Sequence, residues 1–143
     1  MAKVLRGGWA GINFYSPGGH VPVLELARNH ILQADTGFEY EEDFEDLADG
    51  GRALAGIAAN ITVVTMNIDD TDLAPIITAS DAVNLLDVEF ISLKNGASVR
   101  FNNLSPSLSG GGGNAGTFLQ SRITGRAYAH SVADLREIVV PAS

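Results

Sequence analysis

A chain of 143 residues with 45% hydrophobic side chains is long enough to bury a core as one domain. Seventeen acids against nine Lys and Arg give a net charge of −8, which argues against a general nucleic-acid binder, since that role needs a basic face for phosphates. With no cysteine there is no disulfide, thiolate metal site or cysteine nucleophile, and a reducing cytoplasm is the expected place of synthesis. No run approaches the ~18 apolar residues that suggest a membrane span, and Met1 to Trp9 lacks the apolar stretch of a secretory signal. The acidity suits a plain solvated surface, or one that nucleic acid passes without sticking, because like charges repel.

In chain order, Ile12 to Tyr15 is predicted as a short strand and Ser16 to Gly19 as a turn. His20 to Leu26 alternates, with Val21, Val23 and Glu25 on one face and Pro22, Leu24 and Leu26 on the other. Pro22 cannot donate to a ladder, so this strand belongs at a sheet edge. Trp9 is the sole tryptophan and reads as a packing residue or a subunit contact.

Residues 35 to 49 hold eight of the seventeen acids: Asp35, Glu39, Glu41, Glu42, Asp43, Glu45, Asp46 and Asp49. Tyr40, Phe44 and Leu47 have helical spacing, while Phe38 and Tyr40 alternate as in a strand, and both readings stand. The interleaved aromatics set this stretch apart from a disordered acidic tract. The Asp-x-Asp-x-Asp-Gly pattern of a calcium loop is missing, so a solvated acidic loop or arm is expected over 35–59. Arg52 to Ala59 reads as the return side of that arm or as a short helix.

Ile61 to Ile68 is rich in β-branched residues and predicts a strand. With Asp72 as the cap of a short helix, Pro75 falls where its missing N–H costs little, and Leu73, Ile76 and Ile77 share one face. That helix is expected to end between Ala79 and Asp81. Leu86 to Lys94 predicts a strand with Val88, Phe90 and Ser92 opposite Asp87, Glu89, Ile91 and Leu93. Asn95-Gly96 predicts a tight hairpin turn, and Ala97 to Phe101 the return strand. Gly110 to Gly116 reads as a flexible hairpin tip, because no Lys-Ser or Lys-Thr follows the glycines as a phosphate loop requires. Phe118 to Tyr128 predicts a last long strand in which Gly125 marks a bulge or a close backbone approach. Val132, Leu135, Ile138 and Val139 then show near-helical spacing, with Val139 to Pro141 extended.

No catalytic, cofactor or metal constellation emerges. His20, His30 and His130 are far apart without metal-ligand spacing, and no Gly-x-Ser-x-Gly elbow occurs. Helix capping accounts for Asp69 and Asp70, and an exposed strand face for Asp87 and Glu89. The chain therefore reads as mainly β, an antiparallel β-barrel or sandwich with one short flanking α-helix and a long acidic loop, and as no enzyme.

This order of elements resembles the tail-tube proteins of tailed bacteriophages and the related tubes of contractile injection machines. The resemblance lies in the strand Ile61 to Ile68, the helix around Leu73 to Ile77, the hairpin at Asn95-Gly96, Val99 to Asn103 leading into a polar corner, and the strand ending Ile123 to Ala127. It covers Ile12 to Tyr128, and implies one tail-tube-like domain over 1–143 with 131–143 as a carboxy-terminal tail. It further implies hexameric rings stacked into a hollow tube through which DNA passes without specific binding. Such a protein belongs to the virion tail, is assembled in the host cytoplasm, and meets sheath, tape-measure and tail terminator proteins. The arm residues Phe38, Tyr40, Glu41, Glu42, Phe44, Asp46 and Leu47 are then expected at a subunit interface, and Asp87 and Glu89 facing the lumen. Removing Phe38 to Leu47 is expected to leave a folded domain that no longer stacks. The alternative is a capsid decoration or head–tail completion protein; a small enzyme or carbohydrate-binding β-domain is a third class.

Overall fold

The computed structural model describes residues 9–66, 70–82, 84–93, 96–112 and 120–140. Among the described residues eight strands run in order as β1 (Trp9–Tyr15), β2 (Pro22–Ala27), β3 (Ile31–Asp46), β4 (Arg52–Met66), β5 (Leu86–Ser92), β6 (Ser98–Gly112), β7 (Gln120–Ala129) and β8 (Arg136–Val139). Helix α1 (Asp70–Ala82) lies between β4 and β5, and the single turn α2 (Val132–Leu135) precedes β8. The spatial order is β2-β1-β5-β6-β7-β4-β3, with β8 also on β6, and every pairing is antiparallel. The sheet is open, with β2 and β3 at its two ends, and it folds over on itself as a sandwich does.

β6 makes the fold-over possible. Its first half, Ser98 to Leu104, pairs with β5, and its second half, Leu104 to Gly112, pairs with β7. At the junction Asn103 has φ of 58°, a left-handed conformation that Asn tolerates better than most residues. One strand thus serves two layers, β2-β1-β5-β6 and β6-β7-β4-β3, turning the corner by a local bend.

Between the layers lies an aromatic centre. Phe38 of β3 packs against Trp9 of β1, Phe90 of β5 and Phe101 of β6, with ring centroids 5.8, 5.4 and 4.8 Å apart. Ile12, Phe14 and Val88 from one layer meet Ile61, Val63 and Ile123 from the other, all at most 2% exposed. Leu73, Ile76 and Ala79 of α1 join the same core, so one helix face is buried as its spacing predicts.

Several expectations need correction. α1 begins at Asp70, so Asp72 lies within the helix and not at its cap, and Pro75 is inside it. β4 runs unbroken from Arg52, so the short helix considered there is strand, while Asn67 and Ile68 lie outside the described residues. The 35–46 stretch is strand and not helix: alternation wins because Phe38 and its ladder partner Ile61 both point into the core. β6 extends eleven residues past Phe101, through the polar corner and into Gly110 to Gly112, where a flexible tip was expected; 113–119 lie outside the described residues. The Asn95-Gly96 hairpin joins β5 to β6, with Gly96 at φ 67° and Asn95 outside the described residues. After Leu135 the expected helical spacing gives way to β8, which adds to β6.

Gly125 marks a close approach. The β4–β7 register passes it without a shift, and a Cβ there would meet Leu104 Cδ1 and the Ser105 carbonyl oxygen at 2.6 Å. Backbone cannot move aside as a flexible side chain does, so Gly125→Ala is expected to cost about 1–3 kcal/mol through overpacking. A urea titration checks this: the midpoint should fall at constant slope.

Candidate functional site

Two features stand out for function: a protruding hairpin and a four-stranded layer with one polar face. The hairpin is formed by β3 and β4, paired from Gly37↔Thr62 to Asp46↔Arg52. β7 supports β4 only as far as Ile57↔Ala129. Beyond that point, residues 43–56 stand out as a two-stranded ribbon, closed by the turn Leu47 to Gly51, where Leu47 N–H donates to the Gly51 carbonyl at 2.7 Å and Gly50 takes φ of 87°. A bulge between Asp43 and Phe44 bends it at its root.

Strand alternation sorts the arm's side chains. Tyr40 and Phe44 lie on the core-facing side with Phe38, whereas Glu39, Glu41, Asp43 and Glu45 lie on the other. Phe44 faces Leu54 across the ladder, and Arg52 caps this end, its guanidinium 4.8 Å from the Phe44 ring and its Nε 3.8 Å from Asp46. Tyr40, Phe44, Leu47 and Leu54 are each more than 40% exposed. A bare two-stranded ribbon is marginally stable in water, so this apolar edge is a surface in want of a cover.

The seven residues expected at a subunit interface divide. Phe38 is a core residue at the centre of the aromatic cluster. Tyr40 is half in, touching Phe38 and Phe101, with the Arg136 guanidinium 5.6 Å away. Glu41 accepts from Asn60 Nδ2 at 3.3 Å and lies 3.7 Å from Arg126. Glu42, Phe44, Asp46 and Leu47 are exposed. Removing Phe38 to Leu47 would therefore take out core, and the separable segment is Phe44 to Leu54.

The layer β6-β7-β4-β3 has one face in the core and one open. Ladder rows on the open face read Glu39, Asn60, Arg126, Ser105, and next to it Thr62, Thr124, Ser107. These two rows are polar and mixed in sign, with Glu39 on β3 and Arg126 on β7, while Ala58, Val64 and Tyr128 lie in the flanking rows of the same face.

The strand acids Asp87 and Glu89 are not on an exposed face. Asp87 is 2% exposed. Its Oδ2 lies 2.8 Å from Arg100 Nη2 and 3.0 Å from the Gly18 N–H, and its Oδ1 accepts the Asn103 N–H at 3.0 Å. Arg100 also donates to the Gly19 carbonyl at 2.7 Å and covers the Tyr15 ring at 4.2 Å. Glu89 accepts the Tyr15 hydroxyl at 2.9 Å. Burial holds the Tyr15 phenol above its ordinary value of 10.0, with the Asn13 hydrogen bond opposing and Glu89 adding. Burial also raises the Tyr40 phenol, against the pull of Arg136. Alternation on β5 hides this network, since the partners that bury Asp87 come from β6 and the Ser16–Gly19 turn.

Among the described residues no group of three or more His, Cys, Asp or Glu is placed to hold a metal, and no helix is long and apolar enough to cross a membrane. His130 is exposed with its Nδ1 3.4 Å from the Ala55 carbonyl, and His30 is exposed, its backbone carbonyl accepting the Thr65 hydroxyl.

No family model matches the sequence, and no curated protein matches it. Solved structures do. The anti-feeding prophage cap, a tube terminating cap, aligns over 99% of this chain and 95% of its own, at 16% identity and a TM-score of 0.54. A chain of the native gene transfer agent virion aligns over 92% and 95%, at 13% identity and a TM-score of 0.54. A chain from the tail of the empty gene transfer agent particle, refined with C6 symmetry, aligns over 82% and 87%, at 14% identity and a TM-score of 0.52. The chain thus has the fold of the tail-tube and cap proteins of phage-like particles.

Two outcomes follow from the Asp87 network and the phenols. Asp87→Ala leaves Arg100 buried without its partner and is expected to cost about 3–5 kcal/mol, read as a lowered urea midpoint. A phenol whose folded-state pKa is raised contributes stability that is complete below the unfolded value and is lost as pH rises through the folded one. The midpoint is therefore expected to fall above pH 10, and Tyr40→Phe should flatten that fall.

Proposed function

We propose that this chain is a structural protein of a phage-like tail, whose copies form hexameric rings that stack into a hollow tube through which DNA passes. The observation that carries this is the layer β6-β7-β4-β3. Its four strands alternate in direction, so copies related by rotation and set edge to edge meet antiparallel, β3 against the next copy's β6. β3 is sixteen residues long and, among the described residues, pairs on one side only. On β6, pairing with β5 stops at Leu104 and the stretch to Gly112 pairs only β7 among the described residues. A long unpaired edge invites aggregation in a monomer and assembly in a ring. The tail and cap folds to which the chain is similar support the same reading.

In this wall the polar open face looks into the channel, and Glu39 and Glu41 are its lining acids in place of the internally held Asp87 and Glu89. Each Arg126 lies beside Glu41, which restrains its pull on a duplex bearing one charge per ~1.7 Å. The arm, through Tyr40, Glu42, Phe44, Asp46 and Leu47, contacts a neighbouring copy. The site of action is the virion tail, with assembly in the host cytoplasm, and tail terminator, tape-measure and sheath proteins as partners.

A second reading, a ring that closes a tube without extending it, is favoured by the likeness to the tube terminating cap. Negative-stain microscopy of the purified chain separates the two: stacked hollow tubes support the first, isolated six-fold rings the second, and dispersed monomers at every concentration would end both. Replacing Phe44 to Leu54 by an Asn-Gly turn is expected to preserve the circular dichroism spectrum and abolish stacking. Loss of the spectrum would show that the arm belongs to the folding unit.

A further inference from the structure

Past its bend, β6 carries a proline in an otherwise regular ladder. Its register with β7 runs without a shift from Leu104↔Ala127 through Pro106↔Gly125 to Gly110↔Ser121. The direction of the Pro106 nitrogen follows from its neighbour. A Cβ on Gly125 would meet the Ser105 carbonyl oxygen at 2.6 Å, so that carbonyl is turned toward β7. In an antiparallel ladder the backbone groups of successive residues point to opposite sides of the strand. Pro106, and with it Leu108 and Gly110, therefore present theirs to the edge that no strand covers among the described residues. The Pro106 ring is buried; on the free edge the residue supplies a carbonyl and no N–H.

We propose that Pro106 keeps the free edge of β6 from pairing with its own copy and so reserves it for the unlike strand β3. This rests on the tube reading and names the residue that selects the pairing. The two edges joined in a ring, β3 and β6, can meet in three ways. Two copies of β6 paired about Leu108 would set Pro106 opposite Gly110 twice, and a Gly110 carbonyl would go without a donor in each copy. Two copies of β3 paired about Glu42 would set Glu41 opposite Asp43 and Glu39 opposite Glu45, like charges directly opposed. β3 on β6 escapes both penalties. The stretch Leu104 to Gly112 holds no charged residue, so the acids of β3 meet no like charge there, and the proline is met once instead of twice. Like-with-like pairing closes as a two-fold dimer, whereas pairing of unlike edges repeats around a ring. One edge is guarded by charge and the other by a missing donor, and the ring contact is the one that both leave open.

The absence of cysteine makes the test direct, since a disulfide forms only where Cα atoms come within about 7 Å. In the β6 pairing about Leu108, Ser107 of one copy lies opposite Ser109 of the other, and both are exposed. Ser107→Cys and Ser109→Cys proteins are mixed and mildly oxidised, with and without Pro106→Val in both chains. Valine restores the N–H and keeps an apolar, strand-forming side chain. Disulfide-linked dimer on a non-reducing gel is expected to rise at least tenfold with Pro106→Val, while six-fold rings and tubes decline in negative stain and the circular dichroism spectrum is unchanged. Pro106→Ala, with the same donor and a smaller side chain, should behave alike. Equally strong cross-linking with Pro106 in place would overturn this role and leave the tube reading standing. So would both variants matching the parent in cross-linking and assembly. Loss of the circular dichroism spectrum in both variants would show that the proline serves the fold, and would also overturn the role. A parent that never assembles ends the tube reading; a tenfold rise in dimer on Pro106→Val would then still support Pro106 as the guard of this edge, and no rise would remove both.

Discussion

The bend in β6 is the constraint on which the rest of the molecule depends. A strand that belongs to two layers must turn, and turning leaves backbone groups out of register with the ladder. Asp87 answers that need. One carboxylate takes the N–H of Asn103 at the bend, the N–H of Gly18 in the first turn, and the guanidinium of Arg100 one strand away. A buried charge is tolerated only when paired and hydrogen-bonded, and here those bonds hold the corner, the turn and β5 in one place. With the corner fixed, Phe101 and Phe90 on one layer face Phe38 on the other.

The same core determines where the arm can begin. Phe38 and Tyr40 of β3 each meet the Phe101 ring of the opposite layer. Past Ile57↔Ala129 the third strand is gone, and Phe44, Leu47 and Leu54 are each more than 40% exposed. The change from core to arm is thus a change in the number of strands in the layer, and the sequence gives it no sign of its own, since acids and aromatics alternate through the boundary. That is why Phe38 and Phe44, six residues apart and alike in composition, belong to different parts of the molecule.

Charge is partitioned in a similar way. β3 places carboxylates on the open face of the layer and β7 places arginines there, with Asn60 and Arg126 both at Glu41. The face is hydrophilic without being uniformly negative. A net charge summed over the chain reports solubility, and the distribution over this face depends on the pairing of β3, β4 and β7.

Local physics is enough to set the periodicities: alternation in β2, β4 and β5, the i, i+3, i+4 stripe of α1, the Ser16–Gly19 and Asn95-Gly96 turns, and the edge position of β2 through Pro22. Each follows from a side chain acting on its own backbone or on residues a few places away. Contacts between residues distant in sequence decide the rest. Asp87 becomes an internal anchor because Arg100 and Asn103 reach it across β6. Residues 35 to 46 become strand because Phe38 finds Trp9, Phe90 and Phe101. Gly110 to Gly112 lie in a strand because β7 supplies a ladder that glycine alone does not encode. Backbone pairing and burial are properties of the partner as much as of the residue, and the partner is fixed only when the layers close.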